Sequence, residues 1–219
     1  MNSRSDPDCD YVYKVVLSGE MGVGKSNILQ RYHKGIFTRI SPTIGVEFLT
    51  KKIILQNGLV VKAQIWDTSG SERYRSITTG HYRSAVGALL VFDLSDRESF
   101  EQLSYWLNCL REHADEQLVV ALVANKYDLV QSDPGARQVT EVEIQAFVKE
   151  NELLYFGESS ALSDRNIKEV VESLMENIHR VQVQVEEKRA KDSLKLKEKY
   201  SHQDPGSSQN TSICGCGGS

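Results

Sequence analysis

Hydrophobic residues recur in short runs along the first 180 positions, and these runs predict six β-strands. The predicted strands are Tyr11 to Leu17, Phe48 to Leu55, Val60 to Trp66, Val86 to Phe92, Leu118 to Ala124 and Leu153 to Gly157. Helical patterns lie between most of them. This alternation favours an α/β fold with an open, mostly parallel sheet and helices on both faces.

One connection departs from the alternation. Gln56-Asn57-Gly58 separates two strands of alternating polarity, which is a hairpin signal. One edge strand should therefore be antiparallel, and the prediction is a six-stranded mixed sheet.

Two helix starts carry capping-box patterns, Ser95-x-x-Glu98 and Thr140-x-x-Glu143. Apolar residues at helical spacing predict two buried helix faces. The first face is Phe100, Leu103, Leu107 and Leu110, and the second is Ile167, Val170, Val171, Leu174 and Ile178.

The pattern changes near Gln184 into the charged run EEKRAKDSLKLKEK, followed by SHQDPGSSQNTS. These segments have too few apolar residues to offset the entropy of ordering. We therefore predict a flexible N-terminus over 1–10, one domain over 11–183, and a largely disordered tail over 184–219 that begins as a fraying helix.

Composition narrows the function classes. The formal net charge of -4 gives no basic surface for nucleic acid, so nucleic acid is not a predicted partner. The first ten residues have no secretory apolar region, and no apolar run is long enough to span a bilayer. We expect a cytoplasmic protein without a disulfide framework.

Residues 19–26 read GEMGVGKS, a G-x-x-x-x-G-K-S loop between a predicted strand and a predicted helix. In such a loop, glycines let backbone N–H groups approach the α- and β-phosphates. Lys25 reaches the β- and γ-phosphates, and the Ser26 hydroxyl can ligate Mg²⁺. The alternative is an ordinary glycine-rich turn that binds nothing.

A second motif, NKYD at 125–128, follows the buried strand and indicates the base. Asp128 can accept hydrogen bonds from guanine N1 and N2, where adenine has no donors. Asn125 and Lys126 would brace the loop and lie along the base plane, while Glu158 to Ala161 would offer a backbone N–H to guanine O6. Taken alone, the motif could also be a solvated turn.

Two further segments complete the predicted site. In WDTSGSERYRS, Asp67 ends a strand and can hold Mg²⁺ through water, and Gly70 can present its N–H to a γ-phosphate. In PTIGVEF, the Thr43 hydroxyl could complete the metal shell only when a γ-phosphate is present. These are the parts of a nucleotide-sensing switch.

With these motifs, the chain resembles the Ras superfamily of small GTPases, and specifically the Rab family. The resemblance rests on TIGVEF, KAQIWDT, ERYRSIT and HYRSAVGALLVFD and covers Tyr11 to about Val181. GKSN and REHAD are similar to the branch of recycling endosomes and post-Golgi transport. The resemblance implies a P-loop small G domain that is monomeric, binds GTP or GDP with Mg²⁺, and hydrolyses GTP.

Motifs and resemblance together assign roles to individual residues. The nucleotide-binding set is Gly19, Met21, Gly22, Val23, Gly24, Lys25, Ser26, Asn27, Phe37, Thr43, Gly70, Asn125, Lys126, Asp128, Ser160, Ala161 and Leu162. The metal set is Ser26, Thr43 and Asp67, and the catalytic set is Lys25, Thr43, Gly70 and Ser71. Phe37 would pack against the guanine ring.

The resemblance also implies partners. Phe48, Trp66 and Tyr74 match the aromatic triad that Rab effectors contact, although Trp66 is equally consistent with an aromatic cluster at the edge of the core. The other implied partners are an exchange factor, a GTPase-activating protein, a GDP-dissociation inhibitor, a prenylation escort protein and trafficking effectors.

Two departures from the family pattern bear on hydrolysis. Ser71 replaces the usual glutamine that orients the attacking water, and Met21 stands where small residues are usual near the γ-phosphate. Both changes predict slow intrinsic hydrolysis. Activating proteins that supply a glutamine in trans would preserve an ordinary cycle, and a constitutively GTP-bound scaffold is the competing interpretation. Asp128 and the lack of a lid segment disfavour a P-loop kinase or ATPase.

Cys214 and Cys216 form a C-x-C resembling the doubly prenylated Rab terminus, although Gly-Gly-Ser follows them. Two prenyl chains would give stable anchoring. The expected location is the cytosolic face of endosomal, Golgi-derived or vesicle membranes. The alternative is a pair of exposed thiols without a lipid.

Overall fold

Six β-strands and seven α-helices alternate along the residues that the structure describes. The computed structural model describes residues 8–38, 40, 46–68 and 75–201, without the side chains of 75–78 and 195–201. The strands are β1 Tyr11–Ser18, β2 Val46–Ile54, β3 Val60–Thr68, β4 Gly87–Asp93, β5 Val119–Asn125 and β6 Leu154–Tyr155. The helices are α1 Lys25–Lys34, α2 Arg75–Tyr82, α3 Arg97–Glu101, α4 Leu103–His113, α5 Tyr127–Ser132, α6 Glu141–Glu150 and α7 Ile167–Ser201, with a 3₁₀ turn at Pro134–Ala136.

The strands form one sheet in the order β2-β3-β1-β4-β5-β6. The β2 and β3 strands pair antiparallel, and the other neighbouring strands pair parallel. Gly58 has a φ of 85° in the tight connection between β2 and β3. The predicted six-stranded sheet with one antiparallel edge strand is confirmed.

Hydrophobic residues fill both faces of the sheet, as parallel strands buried on both sides require. One core cluster contains Ile28 and Leu29 of α1 with the predicted apolar face of α7. The other contains Leu103, Leu107 and Leu110 of α4. Both predicted helix faces are therefore confirmed. The loops that follow the parallel strands β1, β4 and β5 therefore start from the same edge of the sheet.

One of the two predicted capping boxes is confirmed. The Thr140 hydroxyl accepts a hydrogen bond from the Glu143 N–H, and the Glu143 carboxylate accepts one from the Thr140 N–H. The prediction at Ser95 is wrong, because Asp96 caps α3 by accepting the Glu98 N–H. The Ser95 hydroxyl instead donates to the carboxylate of Asp93 at 2.7 Å.

The last strand is much shorter than its apolar run predicts. The Asn166 side chain donates to the Phe156 carbonyl at 2.7 Å, and Gly157 turns the chain with a φ of 95°. These contacts take the backbone out of the β5 ladder after Tyr155, so β6 has two residues instead of five.

Helix α7 is longer than the hydrophobic pattern indicates and extends to Ser201. The chain divides into two units, Met1–Gln182 and Val183–Ser219. The predicted limits at 10, 183 and 184 stay predictions. Among the described residues, none of the helices combines the length and the apolar character needed to cross a membrane.

Candidate nucleotide-binding site

The loop between β1 and α1 is shaped by glycines that no other residue could replace without displacement. A Cβ on Gly19 would lie 2.1 Å from the Val91 carbonyl oxygen, and one on Gly24 would lie 2.4 Å from the Asn125 amide nitrogen. Gly24 has a φ of 101° and precedes α1 without a side-chain cap. The first N–H groups of α1 are therefore directed into the loop, where an anion can accept their hydrogen bonds.

Lys25 lies buried inside this loop. Its ammonium donates to the carbonyl oxygens of Gly19 and Glu20, each at 2.7 Å. Burial lowers the pKa of Lys25 to about 8, while the nearby carboxylates of Asp67 and Glu20 raise it. The loop thus holds a desolvated cation, as recognition of a phosphate requires.

Ser26 and Asp67 meet at the edge of the same loop. The Ser26 hydroxyl donates to Asp67 Oδ2, and Asp67 is fully buried at the end of β3. Asp67 Oδ1 has no hydrogen-bond partner within the described part of the chain. Burial raises the pKa of Asp67 to about 6, against the opposing effects of Ser26 and Lys25.

The Ser26 and Asp67 pair fits a divalent cation. A buried carboxylate oxygen without a partner is costly, and a cation would compensate for it. Carboxylate and hydroxyl oxygens are hard ligands of the kind that Mg²⁺ takes, usually with several waters. The donor set present therefore suits Mg²⁺ better than a thiophilic metal.

A cavity of about 600 Å³ opens beside the loop. Its walls come from the loop, from the segment after α1, and from the loops after β5 and β6. The lining residues are Gly22, Gly24, Asn27, Phe37, Ile40, Asn125, Lys126, Asp128, Leu129, Ala161 and Leu162. Nine of these eleven belong to the nucleotide-binding set, while Ile40 and Leu129 were not singled out from the sequence.

Asn125 ties three segments of the site together. Its amide donates to the Val23 carbonyl at 2.8 Å, and its carbonyl oxygen accepts the Ala161 N–H at 3.2 Å. Asn125 is 1% exposed at the end of β5. The loop after β1 and the segment at Ala161 are thus held in register with β5.

Asp128 is positioned by a buried serine. The Ser160 hydroxyl donates to Asp128 Oδ1 at 2.5 Å, and the Ser163 N–H donates to Ser160 Oγ at 3.0 Å. The side chain of Asp128 reaches the cavity from the first turn of α5. Its carboxylate therefore presents a fixed acceptor group to whatever enters.

Lys126 occupies the left-handed region with a φ of 63°. Its ammonium contacts Asp93 Oδ2 at 2.7 Å, and Asp93 Oδ1 accepts hydrogen bonds from the Ser95 N–H and hydroxyl. Asp93 was not singled out from the sequence. The pair fixes the lysine at the margin of the cavity, between the ends of β4 and β5.

Phe37 lies half-buried in the cavity wall, against the first core cluster. The neighbouring Thr38 donates through its hydroxyl to Gln30 Oε1 at 3.0 Å, and its carbonyl accepts the Asn27 amide at 2.8 Å. Side chains of α1 therefore hold the segment that carries Phe37. The sequence reasoning named Asn27 and Phe37 but not Gln30.

The structure describes two of the three predicted effector aromatics, Phe48 and Trp66. Phe48 is 53% exposed, and its ring centroid lies 4.9 Å from that of Trp66. Trp66 is half-buried and packs against the second core cluster, so the edge-of-core interpretation describes its packing. Its indole N–H has no partner within the described residues.

Several predicted residues fall outside the described residues. These are Thr43, Gly70, Ser71, Tyr74, Cys214 and Cys216. Among the predicted residues that the structure places, Met21 is 56% exposed in the loop after β1, and Leu162 is 49% exposed on the cavity wall.

The remaining contacts that sequence reasoning missed join distant segments. Glu20 accepts the Trp106 indole N–H at 3.0 Å, which ties the loop to α4. Arg31 donates to two carbonyl oxygens in the loop after β6. No spacing in the sequence marks these residues, because their partners lie 86 to 131 positions away.

Comparisons with known proteins agree with the fold and the loop geometry. A model of the Ras family matches residues 14–180. The "GTP-binding protein ypt3" of Schizosaccharomyces pombe is 46% identical over 177 residues, 80% of each chain. The "Ras-related protein RIC2" of Oryza sativa subsp. japonica is 47% identical over 184 residues, 81% of this chain and 80% of the relative.

A third relative matches nearly the whole chain. The "Ras-related protein Rab-25" of Canis lupus familiaris is 42% identical over 216 residues, which is 98% of this chain and 99% of the relative. The family match and this coverage agree with the resemblance found from the motifs. The chain belongs to the Ras family and is a Rab-type small GTPase.

Proposed function

We propose that this GTPase selects guanine nucleotides through the 600 Å³ cavity and cycles slowly between GTP-bound and GDP-bound forms. The observation that carries the proposal is the arrangement of Lys25 and the Ser26–Asp67 pair at one end of the site and Asp128 with Ser160 at the other. A buried cation suits phosphates, and a fixed carboxylate suits a base with two adjacent donors.

The base end favours guanine on chemical grounds. Guanine offers the N1–H and N2–H₂ donors that a carboxylate can accept, whereas adenine would leave the Asp128 carboxylate without a donor from the base, at a cost of about 1–3 kcal/mol. Phe37 supplies an apolar part of the wall of the same cavity. The segment from Glu158 to Ala161 would offer a backbone N–H to guanine O6.

The phosphate end supports hydrolysis of the γ-phosphate by water, which yields GDP and inorganic phosphate. Lys25 and the N-terminus of α1 would stabilise the charge that develops on the phosphoryl oxygens. When bound, Mg²⁺ held by Ser26, Asp67 and Thr43 would neutralise the β- and γ-phosphate oxygens. Gly70 would present its N–H to the γ-phosphate, and the Thr43 hydroxyl would complete the metal shell when that phosphate is present.

Slow intrinsic hydrolysis of GTP is expected because of two residues. Ser71 is too short to orient a water as glutamine does, and the exposed thioether of Met21 occupies space near the γ-phosphate. The same two residues favour the second candidate, a GTP-bound scaffold without useful turnover. An activating protein that contributes its own glutamine separates the candidates, because it would restore turnover only to a cycling switch.

Recruitment to membranes is the proposed output. Curated relatives carry Rab and Ypt names, which supports a place in vesicle traffic on endosomal, Golgi-derived or vesicle membranes. Prenylation of Cys214 and Cys216 would provide the anchor. Exchange factors, activating proteins, a GDP-dissociation inhibitor, a prenylation escort protein and effectors at Phe48, Trp66 and Tyr74 complete the expected set of partners.

The first experiment is to purify the protein without added nucleotide, denature it, and identify the released nucleotide by chromatography. Mostly GDP is expected for a cycling switch, and mostly GTP would favour the scaffold. Absence of guanine nucleotide, with ATP competing as well as GTP for the site, would overturn the proposal. Asp128→Asn is the matched variant, and it should lose preference for GDP over ADP while keeping the phosphate contacts.

A further inference from the structure

Arg31 joins the segment after α1 to the loop after β6 through one guanidinium group. It lies in the last turn of α1, half-buried, one helical turn before Gly35. Nε donates to the Ala161 carbonyl at 2.9 Å and Nη2 to the Leu162 carbonyl at 2.8 Å. Nη1 donates to the Gly35 carbonyl at 2.6 Å. One planar group therefore donates three charge-assisted hydrogen bonds.

The two segments that Arg31 joins both contribute residues to the wall of the cavity at the base end. Gly35 lies two residues before Phe37, and both Ala161 and Leu162 line the cavity with Phe37. They lie 130 and 131 positions from Arg31. One side chain, that of Arg31, therefore links the two wall segments.

The Ala161 peptide is held from both directions. Its N–H donates to Asn125 Oδ1, and its C=O accepts from Arg31 Nε. Asn125 fixes this peptide relative to β5, whereas Arg31 fixes it relative to α1. Without Arg31, the carbonyls of Ala161 and Leu162 would lose their contacts with α1.

We infer that Arg31 is a positioning residue for the guanine base, which sets the distance between the Phe37 wall and the Ala161–Leu162 wall. This inference rests on the proposed function. Within the described part of the chain, Arg31 does not line the cavity. None of its three hydrogen bonds is with a residue of the phosphate end. Its effect should fall on nucleotide retention and leave the γ-phosphate chemistry unchanged.

The test compares release of fluorescently labelled GDP from wild type, Arg31→Ala and Arg31→Lys. Loss of these bonds should accelerate release by about tenfold or more in Arg31→Ala. Lysine keeps the charge but cannot form the three-pronged fork, so Arg31→Lys should retain most of the defect. Arg111→Ala removes one exposed bond, to the Asn151 carbonyl at 2.7 Å, and should leave release unchanged.

A second readout separates positioning from general destabilisation. Single-turnover hydrolysis of GTP already bound should proceed at the wild-type rate in Arg31→Ala. Amide hydrogen exchange should rise in residues 160–163 and 35–38 and stay unchanged in residues 19–24. Equal release rates in the three proteins would overturn the inference, as would a parallel loss of hydrolysis or a global rise in exchange. A wild-type protein that binds no guanine nucleotide would overturn the proposed function instead.

Discussion

The Asn125 amide donates to the Val23 carbonyl at 2.8 Å, across 102 positions of sequence. The bond joins the end of β5, at the base end of the nucleotide site, to the phosphate-binding loop of residues 19–26. The carbonyl oxygen of Asn125 accepts the Ala161 N–H as well. This single buried side chain therefore keeps the base end and the phosphate end in register.

Asn125→Ala should release GDP faster than wild type. The substitution leaves the Val23 carbonyl and the Ala161 N–H unsatisfied, at a cost of about 1–3 kcal/mol for each buried group. Release should accelerate by about tenfold or more, measured with labelled GDP. Asn177→Ala, which loses a local bond to the Ser173 carbonyl in α7, is the control. Unchanged release from Asn125→Ala would show that the tie does not matter for retention.

Ser71→Gln should speed intrinsic GTP hydrolysis. A glutamine can orient water beside the γ-phosphate, and restoring that orientation is worth up to about 100-fold. Met21→Gly should add to the effect if the thioether hinders access. The measurement is single-turnover phosphate release from each variant and from the double variant. If none of the three exceeds wild type, these two positions do not explain slow turnover.

Glu143 should contribute stability at neutral pH that is lost in acid. The Arg97 hydrogen bond and the bonds with Thr140 lower the pKa of Glu143 from 4.5 to about 2. Because the folded state holds the ionised form, the contribution is present above pH 4.5 and decreases as the pH falls toward 2. The Tm difference between wild type and Glu143→Gln should be larger at pH 6 than at pH 3.

The control for Glu143 is Glu116→Gln, in the exposed turn before β5. As a change of an exposed turn residue, it should leave the Tm at pH 6 close to that of wild type. A Tm difference for Glu143→Gln that stays constant from pH 6 to pH 3 would contradict the ionic origin of the contribution.

Two glycines should respond to alanine in opposite directions. A Cβ on Gly87 would lie 2.3 Å from Ile178 Cδ1 and 3.1 Å from Val15 Cγ2, so Gly87→Ala should cost about 1–3 kcal/mol of unfolding free energy by overpacking. Among the described residues, a Cβ on Gly80 would meet no atom within 4 Å, so Gly80→Ala in α2 should gain about 0.5–1 kcal/mol from helix propensity.

Ile178→Val tests the cause of the Gly87 effect, because valine lacks the Cδ1 atom. Alone it should cost about 0.5–1.5 kcal/mol, and in combination with Gly87→Ala the total cost should be less than additive. Urea unfolding of the two single variants and the double variant gives the coupling. Strict additivity would place the strain elsewhere.

Sequence patterns predicted the elements that depend on local periodicity. The β2–β3 hairpin, the apolar face of α7 and the Thr140 cap follow from neighbouring residues, and each is present. The length of β6 did not follow, because Asn166 ends that strand from ten positions away. The cap of α3 was misplaced by one residue because Ser95 bonds to Asp93 instead.

The site shows the same division between local and distant information. The glycine-rich loop and the NKYD segment are contiguous motifs, so their residues could be named from the sequence. Arg31 lies in no motif, and Asp93 only ends the string HYRSAVGALLVFD. The contacts that give them a place in the site, with Ala161 and Leu162 and with Lys126, are with residues distant in sequence. Such residues become visible once the loops after β4, β5 and β6 are placed beside α1.

The chain contains only two tryptophans, and they lie in different surroundings. Trp106 is 1% exposed and bonds to Glu20 of the phosphate-binding loop. Trp66 lies between Phe48 and His81, with the Lys14 ammonium 4.8 Å from its ring centroid. Intrinsic fluorescence therefore provides two separate optical reporters. In a Trp66→Phe protein the emission comes from Trp106 and reports changes at the phosphate-binding loop. In a Trp106→Phe protein it comes from Trp66 and reports changes around Phe48 and His81.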